Sequence, residues 1–393
     1  MNSSPSASQG ARLAWVDAVK GLSILWIAFF HYFIAFNDGR YPWPVSFNSF
    51  PAFISQCGPT SYVETFSCFV EGCLAAVFQR GSQAVGVFLL LSGFGLSYSL
   101  AKHGGPKDGW SHWFQKRLIR LFPMYWAAHL IYLVSPFVHR QDAVDWRFLL
   151  SFLGDRIYPV DKMFYYINPS MWFFGLLLEL YLVFPFLYRL MKRLGPGIFF
   201  CLCILITIVS RYLLFSVLQA NGNYIQGAFF GARLWEFSAG MVLGELCFEH
   251  PEAVERRLFA GTTLLAGVAT YFVGLYTYGP TFWYTLSDAL TAMGLFVILL
   301  HVSSGLRTLP AVERIVSTVG VYSYGIYLIH QPYVIYFGER LRGGGMLTFV
   351  ASACAILGVI ALCSMPLEKH INHWMDLLQD RIKPVPAPAP RER

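Results

Sequence analysis

The stretch Trp15-Val16-Asp17-Ala18-Val19-Lys20-Gly21 runs directly into an apolar segment that extends to Phe36 and carries His31. An α-helix turns ~100° per residue, so Lys20 and His31 are three turns plus ~20° apart, and Asp17 and His31 four turns less ~40°. Three ionisable side chains therefore share one stripe of one apolar helix. Such groups are costly in a bilayer, face a bundle interior or a wet cavity, and mark functional positions. For this segment taken alone, a histidine that only packs against a neighbouring helix is the plain alternative.

The remainder of the chain has the same character. It is 56% hydrophobic, 17% aromatic and only 13% charged, against about 25% charged in soluble domains. Ten apolar runs approach or exceed the ~20 residues that cross hydrocarbon. They lie near 13–36, 83–101, 119–138, 170–190, 197–218, 225–247, 259–278, 283–303, 315–337 and 347–366. The expected fold is an all-α polytopic membrane protein of about ten transmembrane helices. Segment 66–79 is shorter and holds Glu71, so it reads as interfacial or re-entrant; an eleventh crossing there would invert everything after it.

Charge placement orients the bundle. Of the 29 Lys and Arg residues, nineteen fall on the side of the termini and eight on the other, with Arg211 and Arg233 inside spans. The positive-inside rule then places both termini in the cytoplasm. That bias accounts for the net charge of +7 without a nucleic-acid partner. Residues 1–12 read as a polar tail, 13–366 as the membrane domain, and 367–393 as a cytoplasmic tail that ends Pro-rich. The first span reads as an uncleaved anchor. The eight cysteines follow no metal-ligand spacing, and no metal is expected; Cys57, Cys68 and Cys73 share the first outer loop, where one disulfide is conceivable. HExxH, P-loop and GxSxG patterns do not occur, which counts against metal hydrolysis, ATP-driven transport and a serine esterase.

Polar residues in the other spans form a few groups. The second span holds Ser92 between glycines that permit close helix contact. Phe114-Gln-Lys-Arg-Leu-Ile-Arg-Leu-Phe-Pro-Met-Tyr-Trp126 puts Arg117 and Arg120 on one helical face, with Lys116 beside them. That cluster is either a topogenic signal or an anion site, since guanidinium groups fork onto phosphate oxygens. Glu179 stands alone in the fourth span and pairs in principle with His31 or with Arg211. Arg233 and Glu236 have the spacing of a local ion pair. Ser323, Tyr327 and His330 share a face of the ninth span, and Asp288 lies near the outer end of the eighth.

In this order, these segments resemble the acyltransferase family 3 membrane proteins, bacterial enzymes with ten spans that O-acylate carbohydrates and lipids. The similarity covers roughly 12–366. It is carried by Asp17…Gly21…His31, Phe88…Ser92-Gly93-Phe94, Arg117-x-x-Arg120…Pro123-x-Tyr125-Trp126, Trp172…Glu179…Pro185, Arg233-x-x-Glu236-Phe237…Gly240 and Tyr324…Tyr327-Leu328-x-His330-x-Pro332. Lys20 stands where the family usually has Arg, and Leu180 follows Glu179 where a second acid is common. The chain looks like the stand-alone form, without the family's frequent extracytoplasmic domain.

The resemblance implies an acyl-CoA donor, acetyl-CoA first, entering from the cytoplasm, and an extracytoplasmic glycan or lipid acceptor at the bilayer surface. No permanently bound cofactor is implied. Arg117 and Arg120 are expected to hold the donor's phosphates, with Lys116 adding field, Asp17 and Lys20 shaping the entry, and Tyr125 close by. His31 is the expected general base, or a nucleophile through an acyl-histidine. Asp17 lies ~21 Å from it along the axis, so an orienting carboxylate must come from another span, with Glu179 the candidate. Ser92 and Tyr125 are candidate oxyanion donors; Arg233, Glu236 and His330 are read as substrate-facing or structural. The loops 37–82 and 139–169 are the expected acceptor-facing surfaces. The rival reading is a transporter of a polysaccharide or lipid-linked glycan, with the same polar groups lining its path.

Overall fold

The computed structural model describes residues 13–43, 49–58, 61–137, 147–154, 168–218, 229–277 and 284–382. The polar start, most of the outer loop 139–169 and the Pro-rich stretch after 382 lie outside them. Among the described residues there are helices and no strands. The helices are α1 (Ala14–Phe36), α2 (Phe50–Gln56), α3 (Tyr62–Phe78), α4 (Ala84–His103), α5 (Gly109–Val134), α6 (Arg147–Ser151), α7 (Trp172–Leu194) and α8 (Pro196–Tyr212). They continue as α9 (Leu234–Glu249), α10 (Pro251–Leu258), α11 (Gly261–Tyr276), α12 (Tyr284–Leu306), α13 (Pro310–Val321), α14 (Ser323–Arg340) and α15 (Met346–Ile382). With so apolar a chain, only helices satisfy every backbone group within one segment in hydrocarbon.

The protein is an all-α polytopic membrane protein. Each of the ten apolar runs meets a helix, but five helical stretches are both long and apolar enough to cross by those measures alone, and the bent pair α10–α11 makes a sixth. The others fall short for visible reasons. α5 carries Lys116, Arg117 and Arg120 at its entrance, and α8 and α9 are only 17 and 16 residues long. The ninth run does not form one helix: it breaks at Tyr322 between α13 and α14.

Two lengths differ from the sequence reading. Segment 66–79 is part of α3, which leads through a 3-10 turn into α4, so that Tyr62–His103 is one apolar helical stretch of 42 residues. At 1.5 Å per residue this is ~63 Å, about twice the hydrocarbon thickness, so α3 extends the second crossing. It is stapled there by the Cys57–Cys68 disulfide and by the Arg40–Glu71 ion pair at 3.1 Å. Likewise α15, with 37 residues, is ~55 Å long. The boundary at 366 marks the end of the apolar run and not of the helix, which continues to Ile382.

α1 is the central helix, packed on α4, α12, α13, α14 and α15. Glycine sets the closest approaches. A Cβ at Gly320 of α13 would overlap the Asp17 carbonyl of α1, and one at Gly240 of α9 would overlap the Leu90 carbonyl of α4. These are small-residue contacts that let backbones touch. Near the C-terminal end of α8 and the N-terminal ends of α9 and α12, Asp288 bonds Arg211 and Arg233 at 3.2 Å, and Arg233 bonds Glu236 at 2.9 Å. Opposite charges buried together offset each other's desolvation, so Arg233 and Glu236 join α8, α9 and α12 as a structural network.

Candidate active site

A cavity of about 430 Å³ opens between α1, α4, α5, α7, α13, α14 and α15 on the basic side of the bundle. Its charged lining is Lys20 from α1, Arg117 and Arg120 from α5, and Glu368 from α15. Three cations against one carboxylate give this space a net positive charge. Helical spacing explains the arginines: three residues apart, they emerge on one face, and the guanidinium of Arg117 lies 5.4 Å from the Trp113 ring. Ser92, Ser323, Tyr181, Tyr324 and Tyr327 add hydroxyl groups to the wall.

The cavity wall ends beside a histidine pair. The Tyr327 ring, part of that wall, is 5.9 Å from the ring of the fully buried His330. His330 Nε2 lies 2.9 Å from His31 Nδ1. The proton positions follow from the partners. His330 Nδ1 is 2.8 Å from the Tyr327 carbonyl and 3.2 Å from that of Ile326. Carbonyls only accept, so Nδ1 carries the hydrogen and Nε2 keeps its lone pair. His31 Nδ1–H must then donate to His330, which leaves the lone pair of His31 on Nε2. In this tautomer His31 is a base, oriented from behind by a neutral acceptor.

The tertiary structure sorts the residues singled out in the sequence. Lys20, Arg117, Arg120 and Ser92 line the cavity together, and His31 meets His330 eleven residues along α1 from Lys20. Other expected members stand elsewhere. Lys116 is exposed and its ammonium lies 3.8 Å from Asp108, because the residue before Arg117 points ~100° away on the helix. Tyr125 is buried, stacked on Phe174 at 3.8 Å between centroids, and donates to the Ser151 carbonyl at 2.7 Å. Asp17 is buried at the α1–α13 contact and is absent from the cavity wall. Glu179 accepts from the Phe230 N–H at 3.0 Å, at the start of the 3-10 turn that leads into α9, while the partner seen on His31 Nδ1 is a histidine and not a carboxylate.

Glu368 and Asn372 went unread in the sequence because they follow the last apolar run. The available signal was a carboxylate two residues past that run, on a helix with no stop until well beyond it. Glu368 also accepts from the Gly325 N–H of α14 at 2.9 Å, which joins α15 to the helix that bears His330.

The acyltransferase-domain model of acyltransferase family 3 matches residues 13–367, nearly the whole described chain. The chain belongs to acyltransferase family 3. A relative, the acyltransferase MdmB of Streptomyces mycarofaciens, is 26% identical over 319 residues, covering 75% of this chain and 79% of that protein. No solved structure matches. Among the described residues of this membrane acyltransferase, the basic cavity offers cations to an anionic ligand and the His31–His330 pair offers a base. Among the described residues no group of His, Cys, Asp and Glu side chains could hold a metal ion.

Proposed function

We propose that this multi-pass membrane acyltransferase moves an acyl group, acetyl first, from cytoplasmic acyl-CoA to a hydroxyl of an extracytoplasmic carbohydrate or glycolipid at the bacterial inner membrane. The observation that carries this reading is the pairing of a cationic cavity with a histidine base farther along the same helix. Lys20, Arg117 and Arg120 suit the phosphates of the donor, since guanidinium–phosphate contacts are charge-assisted and geometrically specific. Lys20 lacks the guanidinium fork and acts as a point charge. From Lys20 to His31 is eleven residues, about 16 Å along α1, the run that a thioester arm must cover from the anchored phosphates.

In the proposed reaction His31 Nε2 takes the proton of the acceptor hydroxyl as its oxygen attacks the thioester carbonyl carbon. The tetrahedral intermediate collapses, the C–S bond breaks, and the CoA thiolate leaves with the proton returned from His31. His330 accepts from His31 Nδ1–H throughout and stabilises the imidazolium, a contribution typical of oriented acid–base pairs. Ser92 is the cavity hydroxyl assigned to the developing oxyanion.

The test uses purified protein in liposomes with radiolabelled acetyl-CoA and a mixed bacterial glycan and glycolipid extract, comparing wild type with His31→Ala. Label passing into an ester in wild type, and lost in the variant at equal folded protein, is the expected result. Glycan binding or translocation with no turnover of any acyl-CoA would replace this reading with the transporter.

A further inference from the structure

α14 contains Pro332 in its interior. Proline has no N–H, and its ring crowds the carbonyl four residues back, here that of Leu328. In an unbroken helix the N–H of residue 332 would serve this oxygen. Leu328 is fully buried, where a bare carbonyl is costly. Two side chains from other elements supply the missing donors. The Tyr132 hydroxyl of α5 donates to the Leu328 carbonyl. Asn168 Nδ2 donates to the same oxygen at 3.3 Å and to the Tyr132 hydroxyl oxygen at 3.2 Å.

The other end of the Asn168 amide is also engaged. Its Oδ1 accepts from the backbone N–H of Ser170 at 3.1 Å and from the Ser170 hydroxyl at 2.9 Å. The Ser170 carbonyl in turn accepts from the Tyr327 hydroxyl. Tyr132 and Asn168 are both buried. The carbonyls of α14 held directly or through His330 in this region, those of Ile326, Tyr327 and Leu328, immediately precede the His330 turn. Opening a helix at proline frees that turn to shift, and a shift of His330 moves the acceptor on His31.

We propose that Tyr132 and Asn168 are positioning residues that replace the hydrogen bond Pro332 removes, hold this turn of α14 in one geometry, and so set His330 Nε2 against His31 Nδ1. The consequence for turnover rests on the reading of His31 as the base given above; the consequence for the geometry of His31 does not.

The decisive experiment is a double-mutant cycle between Tyr132→Phe and Pro332→Ala. Phenylalanine keeps the ring and deletes the donor. Alanine at 332 restores the backbone N–H to the Leu328 carbonyl and makes the tyrosine donor redundant. Tyr132→Phe should lower kcat about fivefold to tenfold, the worth of one buried hydrogen bond, and leave the donor KM unchanged because Tyr132 does not line the cavity. Pro332→Ala alone should stay near wild type, and the double variant should return to within about twofold of it. A double variant as slow as the product of the two singles, or slower, overturns the proposal.

A second readout needs no substrate. Carbethoxylation of His31 by diethyl pyrocarbonate, followed by peptide mass spectrometry, reports the nucleophilicity of Nε2, which the Nδ1–H···His330 bond raises. Tyr132→Phe should slow that modification about threefold or more, and Pro332→Ala should restore it. Unchanged modification in Tyr132→Phe overturns the proposal. Absence of any acyl-CoA turnover in wild type would sink the functional reading while the modification rates still decide the positioning. Should Tyr132→Phe fail to fold, Asn168→Asp, which deletes the Nδ2 donor to the Leu328 carbonyl and keeps the acceptor for Ser170, carries the same rescue test.

Discussion

His330 offers the sharpest test of the histidine pair. Its Nε2 is the acceptor 2.9 Å from His31 Nδ1, and its Nδ1–H donates to carbonyls that already have partners within α14. Replacing it therefore changes one bond of consequence. His330→Asn shortens the side chain so that no atom reaches the place of Nε2, and the Nδ1–H of His31 is left unpaired. An unsatisfied buried donor costs about 1–3 kcal/mol. If that bond tightens as His31 becomes charged, the same amount is lost from the transition state, which is about fivefold to 150-fold in kcat. His330→Gln places Oε1 close to the position of Nε2 and keeps an acceptor, so it should retain turnover within about fivefold of wild type. The donor KM should hold in both, because His330 is not part of the cavity wall. The assay is steady-state acyl-CoA consumption in liposomes at saturating acceptor, normalised to folded protein. An Asn variant with wild-type kcat would refute the pair as a catalytic device, and a Gln variant no faster than Asn would refute the acceptor argument.

Arg117→Ala combined with Arg120→Ala should raise the donor KM at least about tenfold, the scale of one charge-assisted hydrogen bond, with little change in expression. Lys116→Ala, outside the cavity and beside Asp108, should leave that KM within about twofold; an equal rise in both would mean that the general field, and not the cavity, attracts the donor. Glu179→Ala removes the acceptor on the Phe230 N–H and should cost about 1–2 kcal/mol, as lost helix-start caps do, read as a Tm lower by a few degrees. Turnover per folded molecule should survive that change, and a collapse of kcat at unchanged Tm would restore Glu179 to the chemistry.

How much was legible follows from where the physics is local. Apolar run length reports directly on the bilayer, so the helical membrane class could be read along the chain. The stripe of Asp17, Lys20 and His31, and the shared face of Arg117 and Arg120, follow from helical pitch and needed no partner. Assigning those faces was a different matter. The same pitch that joins Arg117 to Arg120 turns Lys116 away, but only the packing of α5 shows which face looks inward. Tyr125 follows the motif yet stacks on Phe174, and Glu368 lies past the last apolar run because α15 continues beyond it to Ile382.

The sequence by itself determined that this is a helical membrane protein whose spans carry a histidine and basic groups gathered on single helical faces. Only the tertiary structure decided that His31 is answered by His330, 299 residues away, and not by Glu179. It alone decided that Pro332 opens a carbonyl which Tyr132 and Asn168 close. Helical periodicity fixes which side chains share a face. Which face meets which is settled by close contacts between distant segments, such as Gly320 on Asp17 and Gly240 on Leu90, and no local pattern encodes those pairings.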